Sequence, residues 1–149
     1  QALVIHTKIG DLENEGSALS NLGTAHVALK QHAMGIEYLE RALVIDRKIG
    51  GLNHEGNALN NLGAAYIVLG QYPRAIKYLE QALAIDVAID NLQSEGDTLG
   101  NLGIAYSALG DYTKAIEYFE QSRVIYEDRL NIAFPLKAEF DALKHRKPN

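Results

Sequence analysis

Cysteine and tryptophan are both absent from the 149 residues, and there are only three prolines and one methionine. Without cysteine there is no disulfide, no thiolate nucleophile and no cysteine-built zinc site. No apolar run approaches the roughly 18 residues that a membrane-spanning helix needs. Residues 1–10 carry neither the basic stretch nor the apolar core of a secretory signal. A basic excess is missing too: 14 Lys and Arg stand against 19 Asp and Glu, a net charge of −5, so no nucleic-acid partner is expected. These absences lead to the expectation of a soluble, cytoplasmic protein. The 47% hydrophobic and 22% charged content is that of a folded chain, and the length suits one domain.

What is present is a repeat. Asn57-Ala58-Leu59-Asn60-Asn61-Leu62-Gly63 returns as Ser17 to Gly23 and as Asp97 to Gly103, a period of 40 residues in both directions. Other columns keep the frame: Glu15, Glu55 and Glu95; Gly16, Gly56 and Gly96; Ile36, Ile76 and Ile116; Tyr38, Tyr78 and Tyr118. Within one copy, Leu59, Leu62, Tyr66 and Leu69 follow helical spacing, which resumes with Ile76, Leu79 and Leu83 after Gly70-Gln71-Tyr72-Pro73. Each copy therefore reads as a helical hairpin. Gly70 and Gly110 suit the ends of first helices, and Pro73 suits the first turn of a second helix. Gly50-Gly51 and Asp90-Asn91 suit the junctions between copies, where Asp11 or Asn91 can cap the next helix. Two glycines per first helix, seven residues apart, cost about 1 kcal/mol each against alanine and argue for closely packed backbones.

Three copies are expected, over residues 11–50, 51–90 and 91–130. Residues 1–10, QALVIHTKIG, match RALVIDRKIG at 41–50 and read as an orphan second helix of a truncated repeat. With Met34 the only methionine, the simplest expectation is a fragment of a longer array, whose bare Leu3 and Ile5 invite end-to-end self-association. After Leu130 the frame dissolves. Residues 131–149 read as a capping helix starting near Pro135, with Leu136, Phe140 and Leu143 on one face, and a basic tail. Residues 137–149 hold Lys137, Lys144, Arg146 and Lys147 against Glu139 and Asp141.

Enzymatic readings find little support. His6, His26, His32, His54 and His145 fall at unrelated frame positions, and the column of glutamates is one repeat apart, too far for paired-carboxylate chemistry. No phosphate-cradling glycine loop is present. No catalytic residue, metal or cofactor is expected, and the tyrosine column is read as packing between repeats.

The pattern Leu59-x2-Leu62-Gly63-x2-Tyr66, then Ala75-x3-Leu79-x2-Ala82, resembles the tetratricopeptide repeat, and Leu99-x2-Leu102-Gly103-x2-Tyr106 with Ala115-x3-Phe119 does so equally. The first copy departs from it, with His26 at the tyrosine position, Gly35 at the alanine and Lys30 at the turn glycine. The repeat is 40 residues long, against 34 in the family, which is similar to the long repeats of kinesin light chains and of LGN/Pins spindle adaptors.

This resemblance implies an all-α, right-handed superhelix whose concave face is lined by the first helices. It turns Ser17, Ser20 and Asn21 inward in the first copy, Asn57, Asn60, Asn61, Ile67 and Val68 in the second, and Asp97, Gly100, Asn101 and Ile104 in the third. Asn21, Asn61 and Asn101 then form a ladder of amides able to hold the main chain of an extended peptide, with Ile67 and Ile104 offering apolar pockets. The alternative for the ladder is that each asparagine bonds a neighbouring helix and sets the repeat spacing. No Lys or Arg lies between Ser17 and Val27, Asn57 and Gly70, or Asp97 and Gly110, so the carboxylate clamp of chaperone-binding relatives is excluded.

The function implied is a non-catalytic scaffold for a partner protein or extended peptide in the groove, in its sharper form a kinesin-light-chain-like cargo or cytoskeletal adaptor. The competing reading uses the convex face or the tail, through Lys144, Arg146 and Lys147, to attach filaments or an anionic membrane surface.

Overall fold

The computed structural model describes residues 1–146. The chain forms helices α1 (Ala2–Ala28), α2 (His32–Ile49), α3 (Leu52–Val68), α4 (Tyr72–Ala88), α5 (Leu92–Ala108), α6 (Tyr112–Arg123) and α7 (Lys137–Lys144). There is no strand among the described residues. None of the described helices is long and apolar enough to cross a membrane.

The turns follow the local chemistry. Gly70 and Gly110 take φ of 72° and 82°, and Gly50 closes α2 at φ 71°. Lys30 and Asp90 adopt the same left-handed geometry without being glycine. Pro73 sits in the first turn of α4, where its missing N–H costs nothing. Asn91 caps α5 by accepting from the Ser94 amide, and Asp111 caps α6 by accepting from Lys114.

The break expected between Gly10 and Asp11 is not made. α1 runs through both residues, so Asp11 caps nothing. Gly10 matches Gly50 in sequence but not in surroundings. At Gly50 the next helix folds back onto α2, whereas residues 1–9 are exposed throughout, with Leu3 at 80%. With nothing to hold a turn, the backbone keeps its helical hydrogen bonds.

Each helix packs on the next in sequence, giving three hairpins. The glycine stripes are the contact surfaces. A Cβ on Gly23, Gly63 or Gly103 would lie 2.5–2.6 Å from Leu39, Leu79 or Phe119 of the following helix. The main core joins Leu39, Leu43, Leu59, Leu62, Leu79 and Leu102 across all three repeats. The tyrosine column stacks within hairpins, Tyr66 on Tyr78 and Tyr106 on Tyr118, both at 5.5 Å, and His26 on Tyr38 at 5.2 Å, while Tyr78 and Tyr118 also pack against the core that the repeats share. A planar ring is what the position needs, so histidine serves there.

The backbones of the first helices approach one another, α1 to α3 and α3 to α5, while those of α2, α4 and α6 stand farther apart, α2 and α4 being joined by the long Arg47 side chain, which donates to Gln81 at 2.9 Å. The layer in closer contact is the inside of an arc, so α1, α3 and α5 form the concave wall.

Beyond α6 the helix widens into a π-helical segment, Val124–Arg129, and the chain turns at Asn131, φ 54°. The terminal helix begins at Lys137, two residues later than expected, because Phe134 is drawn into a second core with Phe119, Tyr126, Phe140 and Leu143. Phe134 meets Phe140 edge-on, with centroids 6.1 Å apart.

Candidate functional site

The concave wall encloses a cavity of about 420 Å³ between α1, α3 and α5. Ser17, Ser20 and Asn21 line it from α1, Asn57, Asn60 and Asn61 from α3, and Asp97 from α5. Seven of the inward positions expected from the sequence are thus brought together. Asn21 and Asn57 are exposed and Asn61 is half-buried. None of the three forms a side-chain hydrogen bond among the described residues.

The third rung behaves differently. Asn101 donates from Nδ2 to Oδ1 of Asn60 at 3.0 Å, so it ties α5 to α3. Asn91 repeats the arrangement at the N-terminal cap of α5, donating to Asn53 at 3.1 Å. Asn101 lies instead along a second cavity of about 260 Å³, together with Ile104, Gly100 and the shared residues Asn60 and Asp97. Leu136 closes this end of the groove: a Cβ on Gly100 would lie 2.8 Å from its Cδ1. Ile67 lines neither cavity and packs against the main core, while Ile104 also supports the C-terminal core.

Three lining residues were absent from the sequence reasoning, Asp46, Gln93 and Ser94, and His54, set aside there as belonging to no catalytic or metal cluster, lines the cavity with them. Asp46 belongs to a frame column with Asp86 and Tyr126 that points from the second helices toward the concave wall. The glycines of the first helices make room for it. A Cβ on Gly16 would meet Asp46 Oδ1 at 2.9 Å, on Gly56 Asp86 Oδ1 at 3.2 Å, and on Gly96 Tyr126 Cε2 at 2.9 Å. The signal was present in the sequence: each of those glycines stands thirty residues before a polar residue on an otherwise apolar helix face.

The column is satisfied in two repeats of three. Asp86, 1% exposed, accepts from the Thr98 hydroxyl at 2.9 Å. Tyr126 donates its hydroxyl to Asp97 and accepts from Gln93 Nε2 at 3.1 Å. Burial, reinforced by the Asp97 carboxylate, pushes the Tyr126 phenol well above its ordinary value. Asp46 is also 1% exposed, yet neither of its oxygens has a hydrogen-bond partner among the described residues. Burial raises its carboxyl, with His54 pulling the other way.

Outside the cavities, Glu55 bridges repeats through Arg47 at 3.0 Å. In the tail, the Lys144 ammonium lies 4.3 Å from the Phe140 ring centre and the Arg146 guanidinium 4.2 Å from that of Tyr112. Lys147 lies outside the described residues.

The family described as tetratricopeptide repeat matches residues 14–88 and 57–128. No curated protein matches the sequence. Among solved structures, aspartyl phosphate phosphatase F from Bacillus subtilis shares 20% identity at a TM-score of 0.75, covering 80% of this chain and 31% of that one. The apo form of RapI shares 19% identity at a TM-score of 0.81, over 90% of this chain and 38% of that one. This chain thus spans about a third of the length of both. A putative kinesin light chain with nearly identical repeats from Podosopora anserina shares 25% identity at a TM-score of 0.68, over 87% of this chain and 62% of that one.

Proposed function

We propose that this chain, which belongs to the tetratricopeptide repeat family, is a non-catalytic scaffold that holds an extended segment of a partner protein in its concave groove. The observation that carries the reading is the cavity of about 420 Å³ on the inner wall, into which Asn21, Asn57 and Asn61 bring side-chain amides free of intramolecular bonds. An amide offers donor and acceptor together, so successive rungs can pair with the N–H and C=O of a strand whatever its side chains. Asn21 and Asn61 are the primary rungs. Asn101 joins them by exchanging its bond to Asn60 for one to the ligand. Ser17, Asn60, Asp97 and Ile104 shape the walls, while Ile67 supports the groove from the core.

A cytoplasmic cargo or cytoskeletal adaptor is the finer form of the proposal, supported by the likeness to the kinesin-light-chain repeats. Attachment through the tail is the weaker reading, since Lys144 and Arg146 already lie on aromatic rings of their own chain.

The test is affinity capture from the source cell with wild-type protein and with the Asn21, Asn61, Asn101→Ala variant, circular dichroism confirming that both fold. A partner lost from the variant alone is the expected result. A partner held equally by both refutes the ladder. Capture that fades as salt rises and moves to anionic vesicles transfers the function to the tail.

A further inference from the structure

We infer that the groove selects partners carrying a lysine or arginine, and that Asp46 is the carboxylate that receives it. This rests on the groove reading above and adds the chemistry of its occupant. Asp46 is 1% exposed, lines the cavity, and has both oxygens unpartnered. A buried carboxylate without partners is costly, and the other two members of its column avoid that cost within the chain. Asp86 receives the Thr98 hydroxyl and Tyr126 is held by Asp97 and Gln93. One repeat earlier, the place of Thr98 is taken by Ala58, which has no donor, and the place of Ser94 by His54. The vacancy is specific to Asp46, and it opens where the free amides of Asn21, Asn57 and Asn61 converge.

Charge points the same way. Asp46 and Asp97 line the cavity and no Lys or Arg does. An incoming guanidinium or ammonium would supply the charge-assisted hydrogen bonds that Asp46 lacks, while the amides hold the main chain on either side. Asp46 thereby fixes the register of the bound segment, which a ladder of identical amides cannot do alone.

The experiment is selection of a displayed library of random twelve-residue peptides on the immobilised full chain, with affinities of recovered peptides then measured on variants. Recovered peptides are expected to share one position occupied by Lys or Arg. Their affinity should fall about tenfold or more on Asp46→Asn, and equally when that cation is replaced by methionine. Ala58→Thr, which gives Asp46 the hydroxyl that Asp86 has, should also weaken them. Peptides without a shared cation that are still lost from the Asn21, Asn61, Asn101→Ala variant overturn the Asp46 assignment and leave the groove standing. Unchanged affinity on Asp46→Asn does the same. Recovery of no peptide overturns both.

Discussion

Replacing Gly63 by alanine places a methyl carbon 2.5 Å from both Cγ and Cδ2 of Leu79, a side chain with no exposure. Rotating one methyl group aside would not relieve this, because Cγ is the branch point. Either Leu79 leaves its rotamer or α3 moves off α4. Overpacking of this kind costs about 1–3 kcal/mol. Alanine returns up to about 1 kcal/mol of helix propensity, so the net loss is up to about 2 kcal/mol, toward the upper end because both the branch carbon and a methyl of Leu79 are in the way. Gly10→Ala is the internal control, since nothing lies within 4 Å of its Cβ position in the same kind of helix. There only the propensity gain remains. Urea unfolding followed by circular dichroism, with midpoints compared at equal slope, measures both. Gly63→Ala should lower the midpoint, and Gly10→Ala should leave it unchanged or raise it with added helical signal. A Gly63→Ala protein as stable as wild type would refute the close-packed stripe, and a destabilised Gly10→Ala would refute the continuous α1.

Thr98→Val keeps the shape of the side chain but takes from Asp86 the Thr98 hydroxyl, leaving Ser94 as its neighbouring donor, and should cost about 1–3 kcal/mol at neutral pH in the same unfolding assay. Asp46→Asn should stabilise the free protein by about 1–2 kcal/mol at pH 7. The sign follows from burial, which raises the folded carboxyl above its ordinary 3.8. The folded state then binds the proton more readily, and wild-type stability declines as pH rises from 3.8 through the folded value. The advantage of Asp46→Asn should therefore shrink on acidification and be absent near pH 3, as a pH series of melts can check. Phe140→Ala removes a ring that touches both Phe119 and Phe134. It should cost about 3–5 kcal/mol, with loss of protection in α6 and α7 by hydrogen exchange before the earlier helices open.

Most of the architecture was legible because it is local. Hairpin boundaries follow from Gly50, Gly70 and Gly110, and Asn91 announces the start of α5. What escaped depends on neighbours. Gly10 and Gly50 both end a Lys-Ile-Gly run, and the turn forms only at Gly50, where Gly51 follows and the next helix folds against α2. Leu136 was assigned to the apolar face of a capping helix, but it precedes that helix and lies on Gly100, closing the groove. The asparagine ladder was visible as a column, yet identical columns hide unequal rungs: Asn101 is engaged by Asn60, whereas the equivalent position to Asn60 in the first copy is Ser20, with no amide to offer. Asp46 was overlooked because a carboxylate in an amphipathic helix ordinarily faces water, and its burial needs the missing side chain of Gly16 on another helix.

The two amide pairs on the inner wall, Asn91 with Asn53 and Asn101 with Asn60, act as stitches along one edge of a spring. The outer helices stand farther apart and meet through a long side chain, Arg47 of α2 donating to Gln81 of α4 at 2.9 Å, so the arc resists bending unequally in the two directions. Straightening it strains the stitched edge first, and each stitch is worth about 1 kcal/mol, so they give way at small extension while the glycine-packed hairpins stay intact. If the groove holds a peptide as proposed, a guest offering its own amides would replace the severed bonds and let the α3–α5 junction widen at almost no net cost in hydrogen bonds. The two pairs that fasten α3 to α5 at rest would then set how far that one junction opens, with no such fastening between α1 and α3 among the described residues.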